Sequence, residues 1–143
     1  MAAWGVSVDV CVLDSAGGLL DASLMASIAA LQHCSLPAVD VSQEGRLPVV
    51  QRGEPGRRLR VTPAAACSVA WLPPMDDDGD KVMVLDPTAE EMVRAVGTAV
   101  VVREASGRVL AVYNSGGCST AHLVASCEIC ISNRLSVLPN IAD

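Results

Sequence analysis

The sequence predicts an α+β fold, a two-layer sandwich of sheet and helices, because stretches of strand period and of helix period alternate along one chain. In residues 6–12 every second residue is a valine, which indicates a strand with one buried face. In residues 20–33 the apolar residues Leu24, Ile28 and Leu31 recur every three or four positions, as in an amphipathic helix. No repeat or linker divides the 143 residues, which suffice for one domain.

The remaining elements follow in the order strands, short helix, hairpin and long helix. The predicted strands are residues 47–50, 58–61, 64–72, 82–85, 98–103 and 108–113, and the last two form a hairpin. Pro73, Pro74 and four aspartates make residues 73–80 an exposed acidic loop. Thr88 and Glu91 have the spacing of a capping box, so a short helix begins there and ends near Arg94. The last helix covers about residues 119–138.

The composition limits the possible functions. The chain has no Phe, one Tyr and two Trp, too few aromatic residues for a platform on which RNA bases stack. Its formal net charge is −6, so a surface that grips phosphates unaided is not expected. The densest basic stretch is Arg57, Arg58 and Arg60. We favour the interpretation that these arginines form a solvated strand edge, and a contact with RNA is the alternative.

The six cysteines lie in apolar runs and indicate small buried side chains with free thiols in a reduced, intracellular protein. No secretory leader is evident, and no apolar run reaches the roughly 18 residues that a membrane helix needs. Two sharper hypotheses remain open. Cys118, His122, Cys127 and Cys130 have zinc-ligand chemistry, but helical spacing places the last two on an apolar face. Cys118 and His122 could form a catalytic pair, although no third residue is evident to orient them.

Several blocks of the sequence together resemble a known family. They are Gly18-Leu19-Leu20-Asp21-Ala22, Leu36-Pro37-Ala38-Val39, Arg60-Val61-Thr62-Pro63 and Val84-Leu85-Asp86-Pro87-Thr88-Ala89-Glu90-Glu91. The first and last blocks, in this order, are a fairly specific combination. Over residues 6–138 the chain resembles the RNase PH-like ring subunits of the RNA exosome, most closely their non-catalytic class.

This resemblance implies an RNase PH-like fold with a left-handed βαβ crossover. A full domain of the family has about as many residues again before Val6, so we expect residues 1–143 to be a partial domain, its C-terminal half. The implied role is a structural subunit that assembles with other RNase PH-like ring subunits and meets single-stranded RNA through the assembled complex. Such complexes imply a location in the nucleus, nucleolus and cytoplasm, with no membrane partner.

The resemblance also implies that catalysis is absent. Active members carry two aspartates, spaced as Glu91 and Gly97 are here, and they bind phosphate where this chain has Asp21. Glycine offers no side chain for a metal or a proton, so we predict no catalytic, cofactor-binding or metal-binding residue and no cofactor. Asp86, Glu90 and Glu91 are then cap and surface residues.

The alternatives are an active phosphate-dependent 3'-5' exoribonuclease and a metal-stabilised domain unrelated to RNA. Two minor features have simple interpretations. His33 at a helix end caps a carbonyl or meets solvent. Ser115-Gly116-Gly117 turns the chain, although its backbone N–H groups could also hold an anion.

Overall fold

The computed structural model describes residues 3–40, 48–51, 53, 56–75, 79–117 and 119–134. Its helices are α1 (Leu19–His33), α2 (Ala89–Arg94) and α3 (Thr120–Arg134). Its strands are β1 (Ser35–Leu36), β2 (Val39–Asp40), β3 (Val49–Val50), β4 (Arg57–Arg58), β5 (Ala64–Leu72), β6 (Val82–Leu85), β7 (Gly97–Glu104) and β8 (Val109–Asn114).

The main sheet is antiparallel, with the strand order β6-β5-β7-β8. Its centre is β5, a nearly continuous apolar run that is buried along most of its length, as expected for a strand covered on both faces. Its register with β7 runs from Ala64 opposite Glu104 to Trp71 opposite Gly97. The four two-residue strands form two small ribbons, in which β1 pairs with β4 and β2 with β3.

Helices cover both faces of this sheet. Cys67, Val69 and Trp71 belong to a buried cluster with Cys130 of α3, while Ser68 of the same strand bonds to Asp21 of α1. Because successive side chains of a strand point to opposite faces, α1 and α3 lie on opposite sides of β5. The predicted α+β class is confirmed. The sheet is, however, the middle of three layers, where the sequence predicted two.

The small residues of β5 and β7 explain how the layers approach each other. Ala70 and Ala99 are fully buried, and the largest buried side chain is Trp71, which is 2% exposed. The ring of Trp71 lies 5.8 Å from that of His122 on α3. One large side chain surrounded by alanine, valine and cysteine fills the space between sheet and helix, which accounts for a core without phenylalanine.

The structure confirms the predicted start of α2 and the predicted cap at the end of α1, and it confirms α3 over the residues that it describes. Thr88 accepts a hydrogen bond from the Glu91 backbone N–H, and the Glu91 carboxylate accepts one from the Thr88 backbone N–H, so the capping box is complete. At the end of α1, Nδ1 of His33 lies 2.9 Å from the Ala29 carbonyl oxygen, a cap of the predicted kind. For α3 the prediction holds over residues 120–134, while its predicted end at residues 135–138 lies outside the described residues.

The predicted strand at residues 6–12 is wrong for this structure. No strand is assigned there, and Val6, Val8, Val10 and Val12 are each about half exposed. A two-residue period of apolar side chains predicts an extended backbone. A β-strand, however, also needs a neighbouring strand to which its backbone N–H and C=O groups can hydrogen-bond. The predicted left-handed crossover needs this strand and stays a prediction.

Two shorter predictions were only partly right. The strand predicted at 58–61 is limited to Arg57–Arg58, and that predicted at 47–50 to Val49–Val50, with Leu47 outside the described residues. Both pair only within their ribbons, with β1 and β2, which the sequence did not predict.

Within the described residues, no helix combines the length and the apolar character that crossing a bilayer requires.

Candidate functional site

The start of α1 is where the family resemblance places a bound phosphate, and here it is occupied by a buried carboxylate. Asp21 is 4% exposed. Its Oδ2 accepts a hydrogen bond of 2.9 Å from the backbone N–H of Ser68, and its Oδ1 accepts one of 2.9 Å from the Ser68 hydroxyl. A carboxylate held in this way joins α1 to β5 and places negative charge where an anion would bind.

The loop before α1 packs against the turn that leads into α2. Gly17 forms an isolated bridge with Thr88, and the Ala89 N–H donates to the Ala16 carbonyl over 2.7 Å. A Cβ at Gly17 would overlap the Pro87 carbonyl oxygen, and the φ of +130° favours glycine independently. This close approach brings the first and last blocks of the family resemblance together in space.

Asp86 shapes the same turn through its backbone. It has a φ of 53°, which is uncommon for a residue with a side chain, and its N–H donates to the Ser68 carbonyl over 2.9 Å. Gly18 has a φ of +55°, which favours glycine, and a Cβ there would lie 2.9 Å from Oδ1 of Asp86, so that side chain would have to shift. Ser68 therefore contacts both Asp21 and Asp86, which makes it the centre of the junction.

Glu91, which the resemblance matches to a catalytic aspartate, serves the helix cap in this structure. The Glu91 carboxylate accepts hydrogen bonds from the Thr88 backbone N–H at 2.7 Å and the Thr88 hydroxyl at 3.0 Å. The backbone bond first, then the hydroxyl bond, lowers the pKa of Glu91 below its ordinary value. Glu90 is exposed on the same helix. A carboxylate that stays ionised in this way is a poor proton donor near neutral pH.

Gly97 stands at the second catalytic position and has a packing role. It is buried at the first residue of β7, opposite Trp71. The Gly97 Cα lies 3.1 Å from the position that a Cβ on Gly117 would occupy. The two chain segments therefore approach each other so closely that a larger residue at Gly117 would force them apart.

The loop at residues 115–117 turns the chain, as predicted. Gly116 and Gly117 have φ values of +98° and +74°. The Ser115 hydroxyl accepts a hydrogen bond from the Thr98 N–H over 3.1 Å, which fixes the loop to β7. The alternative of an anion held by its backbone N–H groups stays untested.

The predicted RNA-contact arginines line a cavity among the described residues. This cavity, of about 890 Å³, is lined by Ala3, Trp4, Leu36, Pro37, Ala38, Val39, Pro48, Val50, Arg57, Arg58, Leu59 and Arg60. Arg57, Arg58 and Arg60 are all exposed. We call this the arginine cavity. Trp4 and Pro37 belong to it only because the fold brings their segments beside β4.

The cysteines of α3 are core residues, as predicted. Cys130 is 5% exposed beside Cys67, and Cys127 packs against the same cluster. A hydrogen bond with the Cys67 side chain, aided by burial, raises the pKa of Cys130 above its ordinary value. A protonated thiol is a poor metal ligand and a poor nucleophile.

The other cysteines and His122 complete the comparison with the sequence hypotheses. Cys11 is exposed, so the prediction of burial is wrong for that residue, because its strand has no partner. The His122 ring packs against the Trp71 ring at an interplanar angle of 35°. Cys118 lies outside the described residues. Within the described part of the chain, no three His, Cys, Asp or Glu side chains are grouped closely enough to hold a metal ion. The absence of a bound metal stays a prediction.

Together, these features define a class of protein. The antiparallel sheet lies between α1 and α3, with a capped α2 before its hairpin, and the family's motifs meet at one junction whose acids serve structure. This arrangement is of the α+β kind that the resemblance to the RNase PH-like family implies.

Known proteins support this family. The chain is similar to three archaeal proteins named exosome complex component Rrp42. The protein from Archaeoglobus fulgidus is 34% identical over 116 residues, or 80% of this chain. Those from Pyrococcus horikoshii and Aeropyrum pernix are 31% and 29% identical over 114 residues, or 78% and 79% of this chain. No protein-family model matches the chain.

These similarities confirm the resemblance to the RNase PH-like exosome subunits over the part of such a protein that the chain spans. That part is 38% of the length of each of these three relatives.

Proposed function

We propose that this chain is a non-catalytic structural subunit of an exosome RNase PH ring. The observation that carries the proposal is the use of the family's site residues for structure. Asp21 bonds to Ser68, Glu91 caps α2, and Gly97 has no side chain. A phosphate would meet a buried carboxylate at the start of α1, and of the two positions matched to the catalytic aspartates only Glu91 carries an acid.

A phosphate-dependent decay assay tests this proposal. The chain, assembled with catalytic RNase PH-like neighbours, is given a single-stranded RNA and inorganic phosphate, and release of nucleoside diphosphates is measured. Glu90→Gln and Glu91→Gln in this chain should leave the rate unchanged within about twofold. Substituting the catalytic acid of a neighbour should abolish release. If either glutamate substitution abolishes release while the ring stays assembled, the chain is an active exoribonuclease and the proposal is wrong.

The proposed role requires partner subunits, and the exposed apolar residues support such a requirement. The valines at residues 6–12 are half exposed, and so are Val109, Leu110, Val112 and Tyr113 of β8, at one edge of the main sheet. Extended apolar segments and open sheet edges tend to recruit other chains. We therefore expect other RNase PH-like ring subunits to cover them. Co-expression followed by size-exclusion chromatography should give a stable hetero-oligomer, and a stable monomer that ignores such neighbours would contradict the scaffold role.

Arg57, Arg58 and Arg60 are the proposed points of RNA contact in the assembled ring, where they would help to line the RNA channel. With a net charge of −6, the chain should bind RNA weakly by itself, and basic neighbours should supply most of the charge. In the assembly, Arg58→Gln should weaken binding of single-stranded RNA and reduce its salt dependence, while Arg94→Gln should not. Equal effects of the two substitutions would remove this contact from the proposal.

A location in the nucleus, nucleolus and cytoplasm belongs to the same proposal, since RNA processing occurs in all three. Imaging of a tagged chain together with a tagged catalytic subunit tests it. The two signals should coincide in each compartment.

A further inference from the structure

The arginine cavity has a chemical character that points to a particular occupant. Among the described residues, its lining combines the Trp4 ring, two prolines and aliphatic side chains with three arginines and includes no acidic residue. Trp4 is 49% exposed, so its ring is accessible. A complementary occupant needs apolar groups directly beside several negative charges. Its volume of about 890 Å³ suits a short peptide segment.

The chain itself contains such a segment. Residues 73–80 read Pro-Pro-Met-Asp-Asp-Asp-Gly-Asp, three apolar residues followed by four negative charges. Met75 is 100% exposed, and Pro73 is also exposed. Aromatic and proline-lined grooves bind proline-containing peptides in an extended conformation, and arginine pairs well with carboxylates. We call residues 73–80 the acidic loop.

The described residues of the acidic loop do not line the cavity of their own chain. The acidic loop follows the C-terminal end of β5, whereas Arg60 precedes its N-terminal end at Ala64. Eight steps of about 3.3 Å place these ends roughly 26 Å apart. Leu72 pairs with Val82, so both ends of the loop are held at the far end of the sheet. A doubled-back segment of about nine residues reaches only about 15 Å.

We propose that the acidic loop of one copy binds in the arginine cavity of a second copy of this chain. The contact joins two different surfaces, so two copies can exchange loops reciprocally or can bind head to tail. This self-association goes beyond the proposed function. The self-association uses the same arginines that the proposed function assigns to RNA. We therefore expect self-association to be lost when the chain is assembled into the ring.

Charge reversal with rescue tests the proposal on the full chain. Molar mass is measured by light scattering or sedimentation over a range of concentrations and salt. The unmodified chain should self-associate at low salt, and added salt should weaken the association because it depends on opposite charges. Arg58→Glu/Arg60→Glu and, separately, Asp76→Arg/Asp77→Arg should each raise the apparent Kd at least about tenfold. Arg94→Glu, a charge reversal outside the cavity lining, serves as the control and should leave the Kd unchanged.

The decisive step is to mix the two reversed variants. Cavities carrying glutamates meet loops carrying arginines, so the mixture should associate as the unmodified chain does, although each variant alone does not. Such rescue cannot arise from misfolding or from contacts between the exposed valines. The proposal is overturned if association is insensitive to both reversals, if the mixture does not recover, or if the unmodified chain is monomeric. A monomer whose cavity arginines bind single-stranded RNA would assign the cavity to RNA alone.

Discussion

Replacing Asp21 with alanine should destabilise the fold more than any other change to an acidic residue described above. The carboxylate is buried and accepts two hydrogen bonds of 2.9 Å, one from the Ser68 backbone N–H and one from the Ser68 hydroxyl. Leaving a buried donor without a partner costs about 1–3 kcal/mol, so two donors cost about 2–6 kcal/mol. Since a domain of this size has a stability of about 5–15 kcal/mol, the loss is a large fraction of the total.

Urea unfolding followed by circular dichroism measures this loss, on the chain alone or in its complex with a partner subunit. Asp21→Asn retains one carbonyl acceptor and should cost about 1–2 kcal/mol. The control is Asp14→Ala, because Asp14 accepts only from the exposed Ser15 N–H, and its cost should stay within about 0.5 kcal/mol.

A double-mutant cycle isolates the interaction itself. If the hydrogen bonds between Asp21 and Ser68 carry the effect, Asp21→Ala and Ser68→Ala should show a coupling energy of about 1 kcal/mol or more. If Asp21→Ala unfolds at the same urea concentration as the unmodified chain, the structural role assigned to this carboxylate is refuted. The Asp21 carboxylate would then give no reason to exclude phosphate from the start of α1.

Three further predictions concern the cap, one glycine and the thiols. Glu91→Gln should destabilise the chain at neutral pH. Because the folded state lowers the pKa of Glu91, its contribution is present above the ordinary value of 4.5 and is lost as pH falls through the lowered value, so the two proteins should converge in acid unfolding titrations. Gly117→Ala should lower the free energy of unfolding by more than about 1 kcal/mol in thermal unfolding, because a Cβ there would overlap the Val96 carbonyl oxygen and φ is +74°. The control is Gly5→Ala, which should leave the free energy of unfolding unchanged because nothing lies within 4 Å of a Cβ at that position. When the native protein is alkylated and its peptides are analysed by mass spectrometry, the exposed Cys11 should react quickly. Cys130 should react slowly, because it is buried and its pKa is raised. Equal reaction rates would contradict the burial of Cys130.

Much of the fold follows from signals that are local in the sequence. The apolar runs of β5 and β6, the capping box at Thr88 and the glycine-containing turn of the hairpin each fall within a few residues, and their elements lie where the sequence predicts them. The helical period of residues 20–33 likewise predicts α1 to within one residue. These signals act through backbone conformation and side-chain period, which neighbouring residues decide.

The site was predicted less completely. The sequence marked Asp21 as an acid where phosphate was expected, and Glu91 and Gly97 as replacements for catalytic aspartates. Ser68 was missed, although a serine inside an otherwise apolar strand was the available signal. Its partner lies 47 positions earlier in the chain, and no local pattern connects the two. The arginines were recognised as a basic stretch, but Trp4 is more than 50 positions away from them.

By itself, the sequence determined the order of the elements, the capped start of α2, the unusually small core residues and the family to which the chain is related. Only the tertiary structure decided that α1 and α3 cover opposite faces of β5, that Asp21 is bonded to Ser68, and that the arginines share a cavity with Trp4. It also decided that the valines of residues 6–12 form no strand among the described residues, despite a clear period of two. The physical reason is that period and propensity specify what a segment can become, whereas burial and hydrogen bonding depend on which distant groups meet it in space.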